Sequence, residues 1–400
     1  MDPVDAHSVL TPENASARAD AAAGSGAGAA DALVVLWDPG SQVSRPLWDH
    51  TEPLVRAVRD AVAGLSERPG GEALRACLTE LRRTPTSLTA RLHFAEAVDC
   101  WTGPDSEALE VARTVAAYRR DGAVFPVTGQ RYEHVGPQSE RPMASAAPPA
   151  RRGTVDGHWD LTVVVDFRAA PGHTGRLDNV LATLRSLADQ SLDAERYRVV
   201  VVEQDTVPRH RERVLPWADA YLHQFAEGPY NRSRAHNAGA AAAPGKGNRL
   251  CFLDADMLLD RGFLRQALAA VETAGTAAAL PYDRVVYLDA LSSARAIAQR
   301  AAGAARAARA TLHGYHLTPT TGGCVIVEQA LFDRLGGYDE GFEGWGDEDN
   351  EFYHRLDRAA GVRRLPGELL HLDHERPVMR KPSPDIAPVP RTTPTEGGSA

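Results

Sequence analysis

Three runs in the second half of the chain, LTVVVDF (161–167), YRVVVVEQD (197–205) and RLCFLDAD (249–256), place apolar and largely β-branched side chains at consecutive positions. A strand with one wet face alternates apolar and polar residues, so unbroken runs predict strands buried on both faces. Between and after them, NVLATLRSLADQ (179–190), RSRAHNAGAAAA (232–243) and RGFLRQALAAVETAG (261–275) carry helical spacing. This alternation predicts an α/β fold, a mostly parallel sheet with helices on both faces. Ligands of such sheets bind beyond the carboxyl ends of the strands. Arg168, Glu203, Asp205, Asp254 and Asp256 all lie at or just past such ends.

The rest of the chain reads differently. Residues 1–30 are rich in Ala, Gly, Ser and Asp without apolar periodicity and predict a disordered leader. Residues 31–136 predict a mainly helical domain from LVRAVRDAVAGL, EALRACLTELRR and SEALEVARTVAAYRR, preceded by one strand-like run, ALVVLW (32–37). A Pro- and Ser-rich linker (137–157) leads to the α/β domain (158–376), and a Pro-rich tail occupies 377–400. The Ala/Arg-rich stretch 290–315 predicts one long helix. Its arginines form either a solvated cationic face or a guide for an anionic acceptor or an acidic membrane surface.

A formal charge of −9 over 400 residues argues against nucleic acid as a partner, because neutralising phosphates needs a basic surface. No apolar run approaches the roughly 18 residues of a membrane span. The start, MDPVDAHSVL, lacks the basic and apolar regions of a signal peptide, so a cytoplasmic location is expected. Cys77, Cys100, Cys251 and Cys324 form no CxxC pair and read as buried thiols.

Four segments carry chemistry. In Asp254-Ala255-Asp256 two carboxylates crowd a strand end, and a divalent cation is a natural neutraliser, although Asp-x-Asp also occurs in ordinary turns. HLDHER (371–376) offers two imidazoles; with Asp256 they make a mixed donor set suited to Mn²⁺ or a similar ion. GGYDEGFEGWGDEDNEFYHRL (336–356) surrounds Trp345 with glycines and ends in Asp347, Glu348 and Asp349 at the head of a helix. Helix capping needs one or two such acids; the remainder, beside a ring on which a sugar can stack, suggest a carboxylate base. In GPYNRSRAHNAGA (228–240), Arg232 and Arg234 open a helix against its dipole, which suggests a phosphate or base contact.

In this order the segments resemble GT-A-fold glycosyltransferases, family 2-like, with a C-terminal module similar to that of the beta-1,4-galactosyltransferases. The resemblance implies transfer of a hexose, of the galactose or N-acetylhexosamine type, from a UDP-sugar to a carbohydrate, lipid-linked or small-molecule acceptor. It implies Mn²⁺ (or Mg²⁺) held by Asp256, His371 and His374. Tyr230, Arg232 and Asn237, in the counterpart of the family's FNRAKxxNxG, would contact the nucleotide, as would Arg168, Glu203 and Asp205 at the strand ends. Asp254 would face ribose and diphosphate, Gly322 and Gly323 would run past the donor sugar, and Trp345 would stack on a sugar. Glu348 would bind hydroxyls and Asp349 would be the general base of an inverting displacement. The chain departs from the family's GWGGED at Asp347, where the family has Gly. A retaining transferase, a nucleotidyltransferase and a non-catalytic sugar-binding relic are the alternative readings.

Overall fold

The computed structural model describes residues 24–101, 105–132, 159–169, 174–242, 248–273, 275–318, 320–344 and 346–374. The linker and tail expected over 137–157 and 377–400 lie outside these, as does Trp345. The chain divides into two compact units: one takes residues 1–139, 286–295 and 308–319, the other 140–285, 296–307 and 320–400.

The first unit is built on helix α1 (Ser25–Trp37), whose consecutive residues Ala32, Leu33, Val34 and Val35 are all buried. A helix apolar all round belongs inside a bundle. Here it is enclosed by α2 (Arg45–Ser66), α3 (Glu72–Arg83), α4 (Leu88–Asp99) and α5 (Asp105–Asp121). A Cβ on Gly26 would fall 2.0 Å from Ala95 O, and one on Gly28 would fall 2.4 Å from Val115 Cγ1, so these glycines admit the neighbouring helices. Two expectations are thereby corrected: ALVVLW is helical, and helix begins at Ser25, inside the expected 1–30 leader. Each valine costs a helix a few tenths of a kcal/mol, whereas burying it contributes about 1.5–3 kcal/mol, so packing decides. Strand β1 (Val124–Thr128) follows and pairs antiparallel with residues 313–317.

The second unit opens with β2 (Leu161–Phe167), α6 (Thr174–Ala188), β3 (Tyr197–Asp205), β4 (Ala220–Phe225), α7 (Arg232–Ala241) and β5 (Arg249–Asp254). The short β6 (Met257–Leu258), α8 (Phe263–Glu272) and β7 (Ala278–Leu280) come next. Most of β8 (Arg284–Leu288), the first half of α9 (Ala290–Ala301) and β9 (His313–Leu317) belong to the first unit; the second resumes with the end of α9 and continues with β10 (Cys324–Glu328), α10 (Gln329–Arg334), α11 (Glu348–Ala360), β11 (Arg363–Arg364) and β12 (Glu368–His371). One seven-stranded sheet runs β11-β7-β10-β5-β2-β3-β4. The four strands β5, β2, β3 and β4 are parallel, and β2 and β3 are buried along their whole length. β10 enters antiparallel between β5 and β7. A separate pairing joins β6 to β12, with Met257 opposite His371.

The long helix expected over 290–315 stops at Ala301; Gly303 (φ 91°) turns the chain, and residues 313–317 are strand. The propensity of Ala and Arg for helix is a weak prior, and pairing of 313–317 with β1 overrides it. Nor do Arg295 and Arg300 form a solvated face. Arg295 is buried and donates to Tyr132 O and Thr311 O, while Arg300 donates to Leu259 O and pairs with Asp189. Cys251 and Cys324 are buried as expected; Cys100 is exposed and Cys77 half-buried. Among the described residues no helix is long and apolar enough to cross a membrane.

Candidate active site

β5 ends at Asp254, which lies beside Asp166 in the parallel register of β2 and β5. The turn that follows presents Asp256, and the β6–β12 pairing brings the end of β12 against it, with Leu372 N donating to Asp256 O at 2.8 Å. Asp256 Oδ2 is 2.9 Å from His374 Nε2, and Asp256 Oδ1 is 3.4 Å from His371 Nε2. One ligand atom from each of the three side chains falls within 4.8 Å of the others. His371 Nδ1 lies 2.9 Å from Leu372 O, a contact that leaves Nε2 toward the carboxylate. Burial opposes ionisation of Asp256, but the charge on His371 and the hydrogen bond and charge of His374 outweigh it and hold the carboxyl well below its usual range. Asp256 Oδ1 is buried and accepts no hydrogen bond from the described groups. Two imidazoles and a carboxylate with an orphaned oxygen fit a borderline divalent cation.

Beside this triad, Arg232 gathers carboxylates from two other elements. It pairs with Asp254, with Glu348 Oε1 at 3.2 Å and with Asp349 Oδ2 at 3.0 Å. Asn231 caps α7 by accepting from Arg234 N at 2.8 Å, which fixes Arg232 in the first turn. The acids open α11, where the helix dipole favours them. Burial pushes the Glu348 carboxyl up, Asp349 adds to that, and Arg232 opposes it. Burial works against the Arg232 charge too, but Asp349 and Glu348 more than compensate, and its ionisation is raised well above the ordinary range. Asp347, at the family's glycine position, has φ 72°, the one positive φ outside glycine among the described residues. Asp tolerates the left-handed region better than most side chains, which explains how the departure is accommodated.

Gly322 and Gly323 close this arrangement. Gly323 O accepts from Asp254 N at 3.0 Å, and Tyr282 donates to Gly322 O at 2.6 Å. A Cβ on Gly322 would stand 2.6 Å from Asp349 Oδ2. Gly322→Ala is therefore expected to displace that carboxylate and lower kcat about a hundredfold with little change in thermal stability. A variant with wild-type kcat would mean that the Asp349 position is unimportant.

Asp166 and His236, which the sequence did not single out, lie beneath the site as a buried carboxylate–imidazole pair, His236 Nδ1 2.8 Å from Asp166 Oδ1. Tyr230 donates to the other oxygen of Asp166. Burial opposes the Asp166 charge, yet His236 and Arg232 keep the carboxyl low. Asp166 falls near the end of an otherwise largely apolar strand, and only the parallel register sets it beside Asp254. Asn237 holds the loop after α10: its Oδ1 accepts from Tyr338 N at 2.9 Å and its Nδ2 donates to Tyr338 O at 2.9 Å. The acids and arginine after β2 and β3 are engaged elsewhere. Arg168 donates to Gln204 O and Gly228 O, Glu203 accepts from His210 N and Tyr221 Oη, and Asp205 accepts from Thr206 N and Arg209.

Residues 174–336 match the family described as glycosyl transferase family 2, and residues 305–376 match the one described as the N-terminal domain of galactosyltransferase. Among solved structures, the chain is similar to the mannosyltransferase PcManGT from Pyrobaculum calidifontis in complex with GDP-Man and Mn²⁺, at 18% identity and TM-score 0.36, over 54% of this chain and 57% of that one. It is also similar to GalNAc-T7 with UDP, GalNAc and Mn²⁺, at 16% identity and TM-score 0.39, over 54% of this chain and 44% of that one. A third similarity is to S. aureus TarS, at 16% identity and TM-score 0.36, over 54% of this chain and 37% of that one. The chain thus spans less than two thirds of each of these relatives. No curated protein matches it. The two overlapping family matches run from residue 174 to 376, over every strand of the seven-stranded sheet except β2 and over the carboxylate–histidine site, and mark this part of the chain as a family 2-like glycosyltransferase.

Proposed function

We propose that residues 158–376 form the catalytic domain of a metal-dependent hexosyltransferase that uses a UDP-sugar and inverts the anomeric configuration, with the mainly helical residues 31–136 as an accessory domain. The observation that carries this reading is the convergence of Asp256, His371 and His374 two residues from the Arg232-bound Asp254. Asp256, His371 and His374 would hold Mn²⁺ or Mg²⁺; when bound, the ion supplies Lewis-acid stabilisation of the departing diphosphate.

The chain's own residues do the rest. Asp254 faces ribose and diphosphate, and Gly322 and Gly323 pass the donor sugar with backbone alone. Tyr230 would contact the nucleotide, Arg168, Glu203 and Asp205, held by their own hydrogen bonds, would shape the strand ends beside it, and Trp345 would stack on a sugar. Asn237, proposed as a nucleotide contact, also clasps the loop after α10 through Tyr338. Arg232 keeps Asp349 oriented through Oδ2, which leaves Oδ1 to take the proton of an acceptor hydroxyl. As that proton leaves, the acceptor oxygen bonds to the anomeric carbon and the bond from that carbon to the diphosphate breaks, releasing UDP. Glu348, raised by burial, is suited to hydrogen bonds with sugar hydroxyls. A nucleotidyltransferase would leave Glu348 and Asp349 without a task, which favours glycosyl transfer.

The test is UDP release from a panel of UDP-sugars with Mn²⁺ and with a chelator, for the wild type and Asp256→Ala. Expected is metal-dependent release from one sugar, reduced about a hundredfold or more in the variant. Release indifferent to both chelator and substitution would refute the metal-dependent reading.

A further inference from the structure

We infer that Asn179 and Thr183, one turn apart on α6, are positioning residues that set the spacing between the two segments carrying Asp256 and the His371/His374 pair. The inference rests on the reading of those three side chains as a metal site.

Helix α6 buries Val180, Leu184 and Leu187 as core, yet Asn179 (2% exposed), Thr183 (0%) and Ser186 (3%) are buried with them. Polar groups at such depth are costly unless bonded. With Gln190 just past the helix end they fall at i, i+4, i+7 and i+11, one continuous stripe. The stripe meets the backbone around the site residue by residue. Gln190 donates to Asp260 O at 3.0 Å and accepts from Leu264 N at 2.9 Å, and Ser186 Oγ accepts from Leu259 N at 3.2 Å. Thr183 Oγ1 lies 2.9 Å from Ala255 O, and Asn179 Nδ2 donates to Asp373 O at 3.0 Å.

A helical threonine commonly bonds the carbonyl four residues back, and Thr183 Oγ1 is 3.0 Å from Asn179 O. That habit does not account for the Ala255 contact, nor for Asn179 reaching across to Asp373. Ala255 sits between Asp254 and Asp256, and Asp373 is next to His374. One turn of one helix therefore holds the backbone on both sides of the triad. The β6–β12 pairing and the Leu372–Asp256 bond tie the same two segments to each other. Because the ligand atoms converge from separate segments, a shift of either carbonyl opens the triad while leaving every ligand present.

The full-length chain is titrated with Mn²⁺, followed by electron paramagnetic resonance, for wild type, Thr183→Val, Thr183→Ser, Asn179→Ser and Asp256→Ala, with melting curves for each. Thr183→Val and Asn179→Ser are expected to bind Mn²⁺ about tenfold more weakly, with Thr183→Ser close to wild type because the hydroxyl is kept. Donor KM should rise at limiting Mn²⁺ and recover at saturating Mn²⁺, while kcat holds. Loss of thermal stability without a change in Mn²⁺ affinity would make both residues merely structural and overturn the inference. If Thr183→Val fails to fold, Asn179→Ser carries the same comparison. Should Asp256→Ala retain wild-type affinity, the metal-site reading falls and this inference with it; loss there, with Thr183→Val and Asn179→Ser unchanged, overturns this inference alone.

Discussion

Asp349→Asn is expected to lower kcat about a thousandfold, in the range that removal of a general base produces, while donor KM and Mn²⁺ affinity stay near wild type. The substitution is isosteric. Asn fits against Gly322 and presents its carbonyl oxygen to Arg232 Nη1, now 3.0 Å from Asp349 Oδ2, so geometry survives and only proton affinity is lost. The measurement is initial-rate UDP release at saturating donor and acceptor, with the slower hydrolysis of donor alone as a control. Hydrolysis should fall less than transfer, because water presents no fixed hydroxyl to the base. A loss smaller than about tenfold would place the base elsewhere, with Glu348 the first group to examine.

What the sequence conveys here depends on the range of each interaction. Buried strands are legible because both their faces are apolar within seven or nine consecutive residues. Asp254, Asp256, His371 and His374 draw notice through the order of motifs in which they stand, since Asp-x-Asp or a histidine pair alone also occurs in ordinary turns. ALVVLW is not legible: a short apolar run fits a buried strand and a buried helix equally, and the choice falls to helices packed on Gly26 and Gly28 from far along the chain. Arg232 is half legible. Its unfavourable place at a helix start signals a function, but the carboxylates that satisfy it are 116 and 117 residues away and enter only with the fold. Asp166 and His236 look like ordinary strand and helix residues until the register sets Asp166 beside Asp254.

Removing that long-range cation carries the largest expected effect on stability. Arg232→Met keeps the length of the side chain and leaves Asp254, Glu348 and Asp349 without their shared partner. Breaking one side of a buried ion pair costs about 3–5 kcal/mol, since the remaining charges stay desolvated. The loss should depend on pH in a definite direction. Glu348 is already raised by burial and by Asp349, with Arg232 opposing, so losing Arg232 raises it further. A carboxyl with a raised folded-state pKa gives its full stability below the unfolded value, near 4.3, and loses it as pH rises through the folded value. Asp166 moves the same way: its folded pKa is lowered partly by Arg232, a stability present above the unfolded value that the variant gives up in part. The gap in stability between wild type and Arg232→Met should therefore be widest at neutral pH and narrow on acidification toward the ordinary carboxylate range. Denaturant unfolding of both proteins at neutral and mildly acidic pH measures it. A gap constant across that interval would mean that Glu348 and Asp166 do not depend on Arg232 for their ionisation.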